Sequence, residues 1–114
     1  MNEKNTRYLV QTYPSLYRPD QYFACGDGWF LIIEELSAEL YNESQISGCS
    51  CEICDVKEKY GTLRVYTDSS NDKMERMIDK AEALSGKVCE VCGKPGELRG
   101  NTWFSTYCDD CMEK

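Results

Sequence analysis

Cys89, Cys92, Cys108 and Cys111 follow the pattern C-x2-C, fifteen residues, C-x2-C. Each C-x2-C pair can bend into a knuckle that aims two thiolates at one metal, and two knuckles complete a tetrahedron. Four protein thiolates leave no open coordination position, so the expected ion is a structural Zn2+ with no bound water to activate. Free thiols or disulfides are the competing readings. Disulfides need an oxidising compartment, and "MNEKNTRYLVQTYP" lacks the basic flank, apolar core and cleavage site of an export signal. The expectation is a reduced, cytoplasmic protein.

Four more cysteines, Cys25, Cys49, Cys51 and Cys54, are just enough for a second tetrathiolate, and Cys51-x2-Cys54 is itself a chelating pair. Against that, Cys54 alternates as an inward strand residue, where cysteine behaves as a small apolar side chain. Cys25 precedes a helix and could instead react as a thiolate, although no base stands near it in sequence. The expectation is one zinc per chain, with the second site the less favoured alternative.

The second constellation is charged. In "ICDVKEKYGTLRVYT" a turn at Tyr60-Gly61 sets Val56 opposite Val65 and Lys57 opposite Arg64. Cys54, Val56 and Glu58 then share a face with Leu63, Val65 and Thr67. Asp55, Lys57, Lys59, Arg64 and Tyr66 share the other. Like charges directly opposed destabilise a sheet by a few tenths of a kcal/mol. Cations gathered at that cost suggest an anionic ligand, with Tyr66, and Trp29 or the N-terminal tyrosines, offering rings. A solvated face neutralised by Asp55 and nearby glutamates is the alternative.

Two helices must carry this hairpin. Asp27 is a candidate N-cap for a helix from Gly28 to Tyr41, with Trp29, Ile32, Ile33, Leu36 and Leu40 on one stripe. A second helix is expected from Asp72 to Ser85. Asp72 and Glu75 form its capping box, Met74, Met77, Ile78, Ala81 and Leu84 its buried stripe, and Gly86 its stop. Pro14 and Pro19 limit the first twenty-odd residues to a short helical turn and irregular chain. After the first knuckle, Gly100-Asn101 is read as a two-residue turn pairing Leu98 with Trp103. The expected fold is α+β: a small sheet built on a central hairpin, packed by two amphipathic helices and closed by a C-terminal four-cysteine zinc ribbon. Residues 1–86 form the α+β unit, and residues 87–114 continue it as the ribbon.

Composition excludes more than it selects. The chain has 114 residues, 41% of them hydrophobic and 29% charged, which suits one folded domain. No stretch approaches the ~18 apolar residues of a membrane span. The absence of histidine removes Ser-His-Asp and Cys-His catalysis and the H-E-x-x-H metalloproteases. An enzyme would have to use Glu34, Glu58 or tyrosines for acid–base work. A net charge of −7, made more negative by a zinc tetrathiolate, opposes nucleic-acid binding.

"GDGWFLIIEELSAEL", "VKEKYGTLRVY", "AEALSGKVCEVCGKPGELR" and "WFSTYCDDC" together resemble a family of small bacterial and bacteriophage proteins. Its pattern is G-W-x-x-L-I-x-x-L, then E-K-[FY]-G-T-L-R-[FY]-Y, then a helix ending in T-C-E-x-C-G. The resemblance spans most of residues 26–111. It implies an α+β domain closed by a zinc knuckle, a prokaryotic or viral cytosolic setting, and no established catalytic activity. The chain departs from the pattern at Cys49, Cys51 and Cys54, and at Val65 where an aromatic is common. The functional expectation is a non-enzymatic, zinc-stabilised binding protein. Lys57, Lys59, Arg64, Tyr66 and Trp29 would hold an anionic small molecule such as a signalling nucleotide, a use suited to phage counter-defence. A protein-interaction module that inhibits a host protein and a zinc-ribbon nucleic-acid adaptor are the alternatives.

Overall fold

The computed structural model describes residues 1–112. Helix α1 (Glu3–Thr12) opens the chain, capped by Asn2, whose side chain accepts from the Asn5 amide. It replaces the single turn expected there, because the prolines begin only at position 14 and leave ten residues free to propagate. Strand β1 (Phe23–Ala24) follows, then a 3-10 turn over Asp27–Trp29 that runs into α2 (Phe30–Ser47). Asp27 does not cap α2. Its carboxylate accepts from the Asn2 amide at 2.7 Å and from Asn5 Nδ2 at 3.2 Å, tying α1 to this segment. Helix α2 also runs six residues beyond Tyr41, ending at Gly48.

Strands β2 (Ile53–Lys59) and β3 (Thr62–Thr67) form the expected hairpin in the expected register, with Val56 opposite Val65 and Lys57 opposite Arg64. Tyr60 and Gly61 both take positive φ, 55° and 85°, as a tight two-residue hairpin turn demands. Strand β1 adds to β2 in parallel, giving the order β1-β2-β3, and pairing stops at Ala24 opposite Lys57. Cys54 departs from the expected alternation. The register shifts between Ile53 and Asp55, so Ile53 turns inward and Cys54 is exposed.

Helix α3 (Asp72–Ser85) is capped by Asn71, which accepts from the Met74 amide, and not by Asp72. Met74, Ile78 and Ala81 are buried, whereas Met77 is half-buried and Leu84 largely exposed. The Leu63 amide donates to Ser85 Oγ at 2.8 Å, so the end of α3 seals the outer edge of β3. Phe23, Trp29, Ile33, Leu36, Leu40, Ile53, Val56, Leu63 and Met74 make one core between the helices and the inner sheet face. Ile32 is only half-buried and packs at its margin.

The C-terminal ribbon consists of β4 (Glu97–Arg99), β5 (Ser105–Tyr107) and the turn of helix α4 (Asp109–Met112). Leu98 pairs with Thr106 and not with Trp103, and the connection is the loop of residues 100–104. The expected pairing would have placed Trp103 in the strand. It lies in the loop instead, 79% exposed.

Two close backbone approaches seat the ribbon. A Cβ on Gly28 would collide with the Cys89 carbonyl oxygen, and one on Gly26 with the Glu90 carbonyl oxygen. Gly28→Ala should therefore destabilise the protein by about 1–3 kcal/mol, the range for overfilling a packed site. At Gly86, where φ is −72° and a Cβ would meet only ordinary contacts, alanine should add about 0.4–1 kcal/mol. Thermal or urea unfolding of the two variants side by side checks both signs.

Candidate metal centre

The G-D-G-W segment is the platform for the first knuckle. The Gly28 amide donates to the Glu90 carbonyl at 2.7 Å, the Gly26 amide to the Glu90 carboxylate at 2.9 Å, and Trp29 Nε1 to the Val88 carbonyl at 2.8 Å. Trp29 is completely buried. It joins core to knuckle and lies away from the hairpin's outer face, because an indole needs its N–H satisfied once its ring is buried. The second knuckle follows β5, which is held from both sides. Glu90 donates its amide to the Thr106 carbonyl at 3.0 Å, and Thr106 Oγ1 donates to the Gly61 carbonyl at 2.6 Å.

These restraints bring Cys89, Cys92, Cys108 and Cys111 together with their sulfurs within 4.8 Å of one another. A tetrahedral ion with metal–sulfur bonds of about 2.3 Å would require sulfurs about 3.8 Å apart, so the quartet needs only small adjustments. Cys92 Sγ and Cys108 Sγ stand 3.5 Å apart, and the Cys111 amide points at Cys108 Sγ at 3.4 Å. Burial opposes ionisation of Cys89, but the Cys108, Cys92 and Val91 amides outweigh it and bring its pKa down to about 6. Cys111 is pushed up to about 12, first by its hydrogen bond to Cys108. One thiolate is thus stabilised at the expense of its neighbours.

The other cysteines are not gathered in this way. Among the described residues, the C-terminal quartet alone places three or more possible ligand atoms within 4.8 Å of one another. Cys25 lies in the core beside β1, and burial pushes its thiol up to about 12. Cys51 is likewise buried and pushed up to about 11, while the Cys49 and Cys54 side chains lean on local carbonyls. A thiol held protonated is a poor nucleophile, and Cys25 is buried in the core apart from any cluster of ligand atoms, so it is a core residue here. The β2 bulge that exposes Cys54 decides the matter for that residue.

On the hairpin face, Lys57 Nζ is 3.5 Å from the Asp55 carboxylate and 5.5 Å from the Tyr66 ring centroid. Arg64 Nε is 3.8 Å from Glu82 on α3 and 3.2 Å from Thr62 Oγ1. Lys59 has no carboxylate partner among the described residues, and its Nζ lies 5.6 Å from the Tyr60 ring centroid. Glu34 accepts from the Tyr13 hydroxyl at 3.0 Å, and Glu58 accepts from the Gly61 amide at 2.7 Å. A cleft of about 350 Å3 between the hairpin turn and the ribbon loop is lined by Glu58, Lys59, Tyr60, Thr102, Trp103 and Phe104. The loop's part in it is hidden in the sequence, since Trp103 reads there as a strand residue. No helix among the described residues is long and apolar enough to cross a membrane. The chain matches no family model, no curated protein and no solved structure.

The quartet should take one thiophilic ion per chain. Titration with Co2+ should saturate at one equivalent, with the intense visible absorption of a tetrahedral thiolate site. Binding must also weaken as pH falls, because the ligands bind as thiolates. Cys89 has largely lost its proton at neutral pH, whereas Cys111 must give one up, so uptake at pH 7 should release protons measurably in weak buffer.

Proposed function

We propose that this is a non-enzymatic binding protein, held in shape by one structural Zn2+, whose outer sheet face takes a small anionic molecule. Zinc is favoured over other ions because the donor set is four cysteine sulfurs within 4.8 Å of one another, with no other ligand type among them. The observation that carries the anion reading is the register itself. Lys57 and Arg64 are paired directly across the strands, and Lys59 and Tyr66 belong to the same outer face. A protein with a net charge of −7 has set like charges opposite each other in the strand register there, a placement that an anionic ligand would favour. Asp55 and Glu82 neutralise Lys57 and Arg64 only partly, at separations of 3.5 and 3.8 Å on accessible side chains. The same acidity weighs against a nucleic-acid adaptor, which must hold many phosphates at once. It also favours one small ligand over a polymer.

A second reading, docking onto a host protein, is favoured by the exposed apolar side chains of the ribbon, Val91, Leu98 and Trp103. Sequestration of a signalling nucleotide in a bacterial or phage setting is the biological use that the motif resemblance suggests.

Calorimetric titration of the zinc-loaded protein with inorganic pyrophosphate tests the anion reading. Binding should weaken with rising salt, and Arg64→Ala should lower affinity at least ~10-fold, the loss expected for a charge-assisted hydrogen bond of about 1.5–3 kcal/mol. Stability should change by no more than about 1 kcal/mol, because the Arg64–Glu82 pair is solvent-accessible. Unchanged affinity together with lowered stability would assign Arg64 to the structural pairing alone. In parallel, Cys92→Ser should release the ion and unfold the ribbon, whose small size cannot bury enough apolar surface to fold unaided. A metal-free Cys92→Ser protein with an intact ribbon would refute the structural role of zinc.

A further inference from the structure

We infer that the cleft between the hairpin turn and the ribbon loop holds the planar ring of an anionic ligand, with Tyr60 on one wall, Trp103 on the other and Lys59 meeting the negative group. This rests on the anion reading above and names what that reading lacks: where the uncharged part of the ligand goes and what kind of part it is.

Several independent features converge on this cleft. Its volume, about 350 Å3, lies within the range of small-molecule sites. Its two walls come from different elements, and each presents a large ring to solvent. Tyr60 is 66% exposed and Trp103 79% exposed. Rings left this open gain from stacking on a planar partner, and such stacking tolerates any π-face. Lys59 is the hairpin-face cation without a carboxylate partner among the described residues, and it stands at the cleft, whereas Lys57 and Arg64 are partly neutralised by Asp55 and Glu82.

Glu58 supplies the remaining chemistry. Its Oε2 accepts from the Gly61 amide, and its Oε1 has no partner among the described residues. It can therefore accept from an N–H at a ring edge. A planar ring with N–H donors and an attached anion is the chemistry of a mononucleotide. A long single strand is disfavoured by the negative charge of the whole molecule. Strand β1 pairs only as far as Lys57, so the end of β2 is left open on that side, and the cleft continues directly from the cationic row.

The cleft also depends on the metal. Its loop wall is fixed against the hairpin turn by Thr106 Oγ1 on the Gly61 carbonyl, and β5 leads straight from that bond to Cys108.

The experiment titrates zinc-loaded protein with adenosine monophosphate, with adenosine and ribose 5-phosphate as controls that carry the ring or the charge alone. Trp29 is buried and Trp103 is exposed, so quenching of the tryptophan emission by the nucleotide reports on Trp103, and Trp103→Phe should abolish it. Calorimetry should show each control binding at least ~10-fold more weakly than the nucleotide. Trp103→Ala should cost ~10-fold or more, equivalent to about 1.4 kcal/mol of stacking. Lys59→Gln should weaken the nucleotide and flatten its salt dependence. Both side chains are exposed, so neither substitution threatens the fold. If Trp103→Ala and Lys59→Gln bind the nucleotide like the parent while Arg64→Ala does not, the cleft proposal fails and the outer-face reading stands. If Arg64→Ala binds normally and Trp103→Ala does not, the cleft stands without the face. A parent protein that binds pyrophosphate but neither binds nor is quenched by the nucleotide also overturns the cleft. Tight binding of adenosine alone would remove the role given to Lys59.

Discussion

The close approach of the Cys89–Glu90 backbone to Gly26 and Gly28 is the constraint on which the rest of this structure depends. Three hydrogen bonds cross that seam, from the Gly26 amide, the Gly28 amide and the Trp29 indole. They work only because no side chain separates the two backbones. On one side the seam fixes the start of α2 and, through Asp27, the N-terminal end of α1. On the other it fixes the first pair of the cysteine quartet. The core and the cysteine quartet are therefore coupled through a few ångströms of backbone, and a disturbance in either is felt by the other.

The ribbon has almost no core of its own. Cys89, Thr106 and Cys108 are buried, while Leu98, Val91 and Trp103 are largely in water. A segment built this way gains little from the hydrophobic effect and depends on bonds to its neighbour, to which an ion held by the quartet would add. The Thr106–Gly61 bond is the distant half of that docking, since it ties the ribbon to the hairpin turn. The tip of the hairpin and the cysteine quartet thus belong to one mechanical unit. That unit forms both walls of the aromatic cleft.

Electrostatics divides the cysteines into two kinds. At the quartet, amide donors and neighbouring sulfurs spread the thiol pKa values from about 6 at Cys89 to about 12 at Cys111. A dication would collapse that spread by taking all four as thiolates. At Cys25 and Cys51 burial dominates, and both remain protonated. The same residue type is therefore poised to ligate in one half of the molecule and acts as an apolar filler in the other, and the difference lies in the surroundings and not in the residue.

What the sequence determined by itself was whatever depends on short range. The cysteine quartet follows from its motif spacing, and the hairpin register at Val56–Val65, the stripe of α3 at Met74, Ile78 and Ala81 and the α+β class follow from periodicity and turn chemistry over short stretches of chain. Tertiary structure decided what those rules cannot reach. By pattern, Trp29 is one more residue on an apolar stripe or a ring available to ligand. It became a buried strut because Val88, fifty-nine positions away, offered its carbonyl. Strict alternation points Cys54 inward, but a bulge shifts the register by one residue and turns it outward. Turn chemistry makes Trp103 a strand partner of Leu98. Docking of Thr106 onto Gly61 instead set the pairing at Leu98–Thr106 and left the indole on an open loop. Strand β1, only two residues long, carries no periodicity to read and exists because β2 had a free edge for it. Local patterns record which backbone shapes a segment prefers; contacts between distant segments choose among them, and they choose by which polar groups and which close approaches can be satisfied together.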